Sequence, residues 1–416
     1  MQQAFGSYAV ALKREFGWSK TTFSAAYSLN RLESGLGPLQ GWALQRFGVK
    51  RMMQIGTVIM ATGLILFSQL HSRGQFFGFY VIAAVGASLC GFLSVVTATV
   101  QWFDRKRSMA LAIAQAGFAI GGLLTPLMVW SFGRFGWRHT ALATGITVFV
   151  TIFPLTFVFG PTPAMLGQPI DGLTPEQAAA FDEQRAAQRA RVSTLSFTAR
   201  EATRTRAFWM ISLGHAAALL VVGSVMAHLQ LYLTGDHGFT AQHAARVAAV
   251  LPLVMLFGQV AGGWLGDRFS KQLICVLAMT GHVVGLLLLA FAHGSWMIWL
   301  FIPFHGVAWG IRGPLMQAMR ADYFGTAHFG QIMGISSMVI MTGQIAGPLL
   351  AGYLADRTGT YRVGFIVVAV LASLGMVFFA LAAPPAPPVR SPSMPTGPSP
   401  GNTTAAEPDV VPVLGG

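Results

Sequence analysis

Gly41-Trp42-Ala43-Leu44-Gln45-Arg46-Phe47 returns 222 residues later as Gly263-Trp264-Leu265-Gly266-Asp267-Arg268-Phe269. Each copy follows a long apolar run and precedes another. A fixed-period repeat of this kind marks a duplicated unit. When the repeated unit is apolar, the arrangement implies two membrane halves with a substrate site between them.

Composition supports the membrane reading. Hydrophobic residues make up 54% of the 416 positions and charged residues only 10%, whereas a soluble domain carries about 25% charged residues. The formal charge of +13 comes from lysines and arginines in short connections between apolar runs, as expected for the flanks of spanning helices. No basic face or motif points to nucleic acid. Cys90 and Cys275 both lie inside apolar runs, which gives no support for a disulfide.

A hydrocarbon core about 30 Å thick takes roughly 20 apolar residues per helix. Runs of that kind cover Thr21–Gln45, Met52–Leu70, Phe76–Trp102, Ser108–Ser131 and Thr140–Gly160. After a polar stretch come Ala207–Leu233, Gln242–Gly266, Lys271–Phe291, Trp296–Met319, Gln331–Ala355 and Val363–Ala382. Met1–Leu12 is apolar but too short to cross, and reads either as the end of a helix whose beginning is missing or as a short surface-lying segment. The expected organisation is an N-terminal bundle over 1–160, a linker over 161–206, a C-terminal bundle over 207–382 and a disordered tail over 383–416. The loops holding Arg46, Lys50, Arg51, Arg105, Lys106, Arg107, Arg268, Lys271 and Arg320, together with the linker, carry more lysine and arginine than the opposite set. That bias places both repeat copies, the linker and the tail in the cytoplasm.

The duplication extends past one motif. Trp102-Phe103 pairs with Tyr323-Phe324, Gly117 and Gly121 with Gly343 and Gly347, and Gly136-Trp137-Arg138 with Thr360-Tyr361-Arg362. At these residues the chain resembles the major facilitator superfamily, whose repeated turn has the pattern G-x-x-x-D-R-x-G-R/K. Gly263, Asp267, Arg268 and Lys271 match it; Gly41, Arg46, Gly48, Lys50 and Arg51 match it with Gln45 at the aspartate position. Phe16-Gly17-Trp18-Ser19, Trp102-Phe103, Ala321-Asp322-Tyr323-Phe324-Gly325, Gly347-Pro348 and Thr358-Gly359-Thr360-Tyr361 resemble the monocarboxylate and oxalate–formate exchanger branch. The resemblance implies an all-α membrane protein of two pseudo-symmetric six-helix bundles, with the first helix truncated, and transport by alternating access. It also implies that Asp267 sits near the start of the fifth helix, around Arg107-Ser108, as an inner-gate latch. In that branch an arginine commonly stands four residues before the motif glycine; here that position is Gln259, which donates hydrogen bonds but carries no charge.

Ionisable groups within spans are costly and tend to face polar cavities. Arg31 and Glu33 lie mid-span and point to different sides of their helix; each serves either as a site residue or in a structural ion pair. Arg312, within Trp309-Gly310-Ile311-Arg312-Gly313-Pro314, can grip a carboxylate through two parallel bonds. It is a replacement anchor or a structural partner of an acid such as Glu33. His215, His228, His282 and His305 are candidate donors or proton carriers, with His228 and His305 on cavity-lining helices by resemblance. No two histidines show the four-residue spacing of a helical metal pair, and no cofactor is expected. Gly117, Gly121, Gly122, Gly343, Gly347 and Gly352 are expected to let helices approach closely.

The function these features imply is secondary active transport of a small organic anion such as a monocarboxylate, by proton symport or exchange. Arg31, His228, Gln259, His305 and Arg312 would form the site. The alternative is proton-coupled efflux of a hydrophobic or cationic compound through Glu33. A P-loop is absent, and no cluster of acids or His/Asp pair suggests an enzyme. The expected setting is a monomer among membrane lipids in a bacterial inner (plasma) membrane, with a proton or counter-anion as second partner.

Overall fold

The computed structural model describes residues 5–18, 22, 26, 36–159, 162–166, 168–174, 176–177 and 197–388. Helices account for nearly all of it. In the first half they are α1 (Phe5–Phe16), α2 (Gly37–Phe47), α3 (Val49–Ser68), α4 (Arg73–Cys90), α5 (Phe92–Trp102), α6 (Arg107–Leu123) and α7 (Thr125–Leu155). The second half holds α8 (Ala199–Thr203), α9 (Arg206–Gly235), α10 (Ala241–Gly266), α11 (Lys271–Ala290), α12 (Ser295–Phe324), α13 (Phe329–Thr358) and α14 (Tyr361–Ala380). Eight segments among the described residues are long and apolar enough to cross a membrane. α12 is a continuous helix as long as any of these eight, but His305, Arg312 and Arg320 make it more polar.

Glycines redraw the expected span boundaries. The run Phe76–Trp102 breaks at Gly91 into α4 and α5. The fifth and sixth spans join through α7, which turns at Gly136, whose φ of 79° suits a residue without a side chain. Helix starts follow local chemistry. Ser72 and Gln75 form a reciprocal capping box on α4, and the hydroxyls of Thr205, Thr240 and Ser270 cap α9, α10 and α11.

The duplication is visible in paired contacts at the end of the molecule opposite the repeated turns. Glu15 precedes the left-handed Gly17, and Asp236 precedes the left-handed Gly238. Glu15 accepts hydrogen bonds from Trp137 Nε1 at 2.6 Å and from Arg138 Nη1, just after Gly136. Asp236 accepts from Thr360 Oγ1 at 2.7 Å and the Tyr361 amide at 2.9 Å, just after the left-handed Gly359. In each half an acid at the end of the first helix therefore clasps the start of the sixth. The hydrogen bonds from Arg138 and Trp137 outweigh the desolvation that works the other way, and hold the Glu15 carboxyl below its ordinary value.

The halves meet near the repeated turns. Gly37 lies against the backbone of Gly334 and Gly41 against that of Gly330, so the backbones of α2 and α13 approach closely. Gly263 packs on Met109 and Ala112, and Gly266 on Ser108, joining α10 to α6. Leu44, Val96 and Leu111 from the first half close an apolar layer with Ala321, Phe329 and Met333 from the second. Gly343 and Gly347 meet the backbones of Ala216 and Leu220 inside the second half. For their partners Gly117 and Gly121, a Cβ would meet no described atom within 4 Å.

The segment between the halves is fastened to both. Asp171 accepts from the amides of Asp104 at 3.2 Å and Arg105 at 2.8 Å, in the turn before α6. The Phe197 amide donates to the Phe324 carbonyl at 3.1 Å, and the two rings pack at right angles.

Candidate functional site

Two groups of polar side chains are candidates for function: a cluster at the face of the repeated turns, called the latch below, and a cationic interior along α12. At the latch the Asp267 carboxylate accepts from the amides of Ser108 at 2.8 Å and Met109 at 3.2 Å. It thereby takes up two of the unpaired N–H groups that open α6, where a helix dipole favours negative charge. Gln45, its copy in the first half, meets the His328 side chain just ahead of α13. The two contacts are related by the duplication, since His328 lies 221 residues after Arg107.

Asp322 is the second acid of the latch. It binds Arg107, which is nearly buried, and accepts from Lys271 Nζ at 2.9 Å. Arg107 also pairs with Asp104 at 3.2 Å. Stepping back 221 residues from Asp322 reaches Gln101, and the same step from Lys271 reaches Lys50. One latch is thus built from Asp267, Asp322, Arg107 and Lys271, and the positions equivalent to these by the sequence duplication are Gln45, Gln101, His328 and Lys50. Both acids of one are neutral amides in the other. Arg268 lies over the Trp264 ring at 4.3 Å, and the Arg46 side chain is exposed at the end of α2.

The interior of the second half contains buried cations without acids. Arg312 is 1% exposed. Its Nη1 reaches the Met316 sulfur at 3.7 Å and its Nε has no partner. Arg320, also 1% exposed, contradicts the expectation of a loop residue: it lies inside α12. There its guanidinium bonds Ser336 Oγ at 2.9 Å, His215 Nδ1 at 3.3 Å, the Met316 carbonyl at 3.2 Å and Gln317 Oε1 at 3.4 Å. These neutral acceptors explain why it can be buried. No described carboxylate reaches either guanidinium. The only acids of the second half from 207 to 382 are Asp236, Asp267, Asp322 and Asp356, all at helix ends. A buried charge lacking an opposite charge costs several kcal/mol.

His305 and His282 are wholly buried against each other between α11 and α12, with Nδ1 atoms 3.2 Å apart. His305 therefore lies within the second bundle rather than at its surface. His228 is partly buried, with Nε2 2.9 Å from the Pro348 carbonyl and its ring 5.0 Å from that of Tyr361. Gln259 is buried beside Gly310, and its Oε1 has no partner. Gln115 of α6 brings its amide against Gly313, and its Nε2 is also unpartnered. Arg31 and Glu33 lie outside the described residues. The structure thus brings Gln259, Arg312, His305 and His282 onto three adjoining helices and leaves His228 apart from them. Arg320, Asp322 and Gln115 are not among the site residues expected from the sequence. Asp322 had a signal in Ala321-Asp322-Tyr323-Phe324-Gly325, and Arg320 in its place two residues before it.

A two-half helical architecture closed by a repeated turn at one face agrees with the wider comparison. The family model described as Major Facilitator Superfamily matches residues 1–311 and 211–408. The chain belongs to that superfamily. Among its relatives, monocarboxylate transporter 13 of Rattus norvegicus is 24% identical, over 88% of this chain and 81% of that protein. Monocarboxylate transporter 11 of Mus musculus is 25% identical over 81% and 73%. The hexuronate transporter of Escherichia coli K12 is 24% identical over 87% and 83%. Among solved structures, the proton:xylose symporter XylE superposes with a TM-score of 0.69 at 15% identity, covering 91% of this chain and 92% of that one. The human organic anion transporter MFSD10 does so at 0.66 and 16%, covering 90% and 89%. These two likenesses speak to the fold. This facilitator is a multi-pass membrane transporter, which accounts for the apolar helices and for the two halves meeting at one face.

Proposed function

We propose that this facilitator carries a small organic anion, such as a monocarboxylate, by alternating access, with Arg312 as the anchor for the carboxylate. The observation that supports this most is the pair of buried guanidiniums in a half whose interior holds no acid. Arg312 holds only a weak sulfur contact and an unpartnered Nε, so an incoming carboxylate could replace Met316 and form two charge-assisted bonds. The names of the monocarboxylate and hexuronate relatives fit such cargo. Gln259 and Gln115, with unpartnered amide atoms, are proposed to orient the rest of the molecule. Arg31 is proposed as a second cationic contact from the first half.

In this reading the bundles 1–160 and 207–382 rock about the site, and 161–206 joins them on the cytoplasmic side. The positive-inside bias puts the latch, that segment and the tail in the cytoplasm, of a bacterial cell in our reading. The conformation described, packed at the latch face, then corresponds to the outward-open state. Asp267 and Asp322 hold the inner gate, and Gly41 and Gly263 give the close approach it needs.

The test is uptake of labelled lactate, pyruvate and galacturonate into liposomes containing the purified protein. At least one should accumulate, and Arg312→Gln should reduce that flux by tenfold or more, on the order of a lost charge-assisted bidentate contact. Undiminished flux in Arg312→Gln would overturn the anchor. Absence of flux for every probe would overturn the organic-anion reading.

A further inference from the structure

Two histidines from neighbouring helices meet in the interior of the second half and have no role in the latch. We propose that His282 and His305 act as a single proton-binding unit, linked to the anion on Arg312, so that the protein is a proton–anion symporter. The proposal rests on the organic-anion reading and adds the coupling residues to it.

The hydrogen-bond geometry fixes the protonation states. Two imidazole Nδ1 atoms 3.2 Å apart can neither both carry hydrogen nor both present a lone pair. One ring donates its Nδ1–H and the other accepts. In the neutral pair, the donating ring then has a bare Nε2, and the accepting ring carries its hydrogen on Nε2. Both Nε2 atoms are buried without a partner. The pair therefore holds one unoccupied base in a place where buried polar atoms are normally satisfied. A proton added to the bare Nε2 gives an imidazolium that still donates through Nδ1 to its neutral neighbour. A second proton would set N–H against N–H. The unit takes up one proton without moving either ring.

Arg312 supplies the link. It follows His305 by seven residues, two turns along the same face of α12 and about 10 Å along the axis. His282 faces this helix from the adjoining α11. A bare guanidinium at that range opposes a second positive charge on the pair by about tenfold in affinity, at the effective dielectric of a protein interior. A carboxylate on Arg312 cancels the opposition. Reciprocity requires the proton to favour the anion by the same factor.

The other titratable groups on packed elements are bonded elsewhere or stand toward helix ends. α9 contributes His215, which is bonded to Arg320, and His228, Tyr232 and Asp236 toward its far end. α10 has His243 and Arg246 at its start and Asp267 at the latch. α6 has Arg107 at its latch end, and α14 has Tyr361 and Arg362 at its start. On α11 and α12 themselves the remaining groups are Cys275, Arg312, Arg320 and the latch residues Lys271 and Asp322.

The experiment separates binding from coupling in liposomes, with labelled lactate, pyruvate and galacturonate as probes. Counterflow at equal pH requires anion translocation but no net proton movement. Accumulation driven by an imposed pH gradient requires both. We expect His282→Gln to retain counterflow within about twofold, and both His282→Gln and His305→Gln to lose gradient-driven accumulation by about tenfold, the linkage factor above. Arg312→Gln should lose both. If the histidine variants keep gradient-driven accumulation, the proposal is wrong. If the native protein shows counterflow but no response to the gradient, the proposal fails and the organic-anion reading stands. If no probe shows counterflow, both fail. Should the variants lose counterflow as well, calorimetry on the native protein decides. Probe binding in buffers of different ionisation heat, followed across pH, should take up at most about half a proton per anion, the largest uptake a tenfold linkage allows, and uptake of none at every pH overturns the proposal.

Discussion

Replacing Asp267 with Asn tests how much one carboxylate contributes to holding the latch face closed. Asp267 bonds two amides at the start of α6, at 2.8 and 3.2 Å. Asparagine keeps one neutral acceptor and loses both the charge and the second acceptor. An anion at a helix N-terminus contributes about 0.3–1 kcal/mol when exposed and up to ~2 kcal/mol when partly buried. Asp267 falls toward the upper end, because its amides lie where α6 packs on α10. A loss of about 1.4 kcal/mol corresponds to a tenfold shift in population toward the opened face. Ser108 offers a reporter. It is fully buried, its hydroxyl has no partner, and it packs on Gly266 across the interface. Ser108→Cys changes one atom and can be alkylated only when the face opens, so its labelling rate follows the open population. The two native cysteines, both buried, give the background. Adding Asp267→Asn should raise the maleimide rate about tenfold, and Asp267→Glu should raise it less. A rate within twofold of the Ser108→Cys parent would refute the assignment of the latch to that carboxylate.

Other perturbations follow from the same contacts. Asp322→Asn leaves Arg107 and Lys271 facing each other with one neutral oxygen between them; it should also speed Ser108→Cys labelling several-fold, and more so at low ionic strength. Gly41→Val places branched carbons against the Gly330 backbone, so α2 and α13 cannot meet. Transport should fall at least about tenfold, with labelling near that of the fully open face, if close packing of backbones is what closes it. Ser336→Ala removes one of the four acceptors around Arg320. Leaving a buried charged donor short costs roughly 1–3 kcal/mol, visible as a lower thermal midpoint in detergent, and an unchanged midpoint would show that water replaces the hydroxyl. Acidification through the carboxylate range should weaken the Glu15 clasp: its folded value is depressed, so its contribution is present above the ordinary carboxylate value and lost as pH falls through the folded one. Glu15→Gln should remove that acid-sensitive part of the thermal midpoint.

The repeated turn was enough to read the two-half architecture, because apolar run length and a duplicated motif are local properties of the chain. The position of Asp267 at α6 was legible through family resemblance. Its asymmetric partner was not: Gln45 and His328 are 283 residues apart, and no local pattern says that they touch. Arg320 looked like a loop cation because it lies four residues from the end of α12. Only the convergence of His215 and Ser336 from other helices shows why it can be buried. His282 and His305 were each legible as lone membrane histidines. Their meeting depends on how α11 packs on α12, which spacing along either helix does not encode.

The unequal pair of latches has a kinetic consequence. Two matched seams would let the halves part evenly, but these differ in kind. The α6–α10 seam is held by charged bonds, which are roughly twice as strong as neutral ones. The α2–α13 seam has an amide meeting an imidazole and glycine backbones in contact. Parting should therefore begin at Gln45 and His328 and travel toward Asp267, so that the face unzips from one edge like a hinged door. The amide side sets how often it comes ajar, and the acid side how often it swings wide.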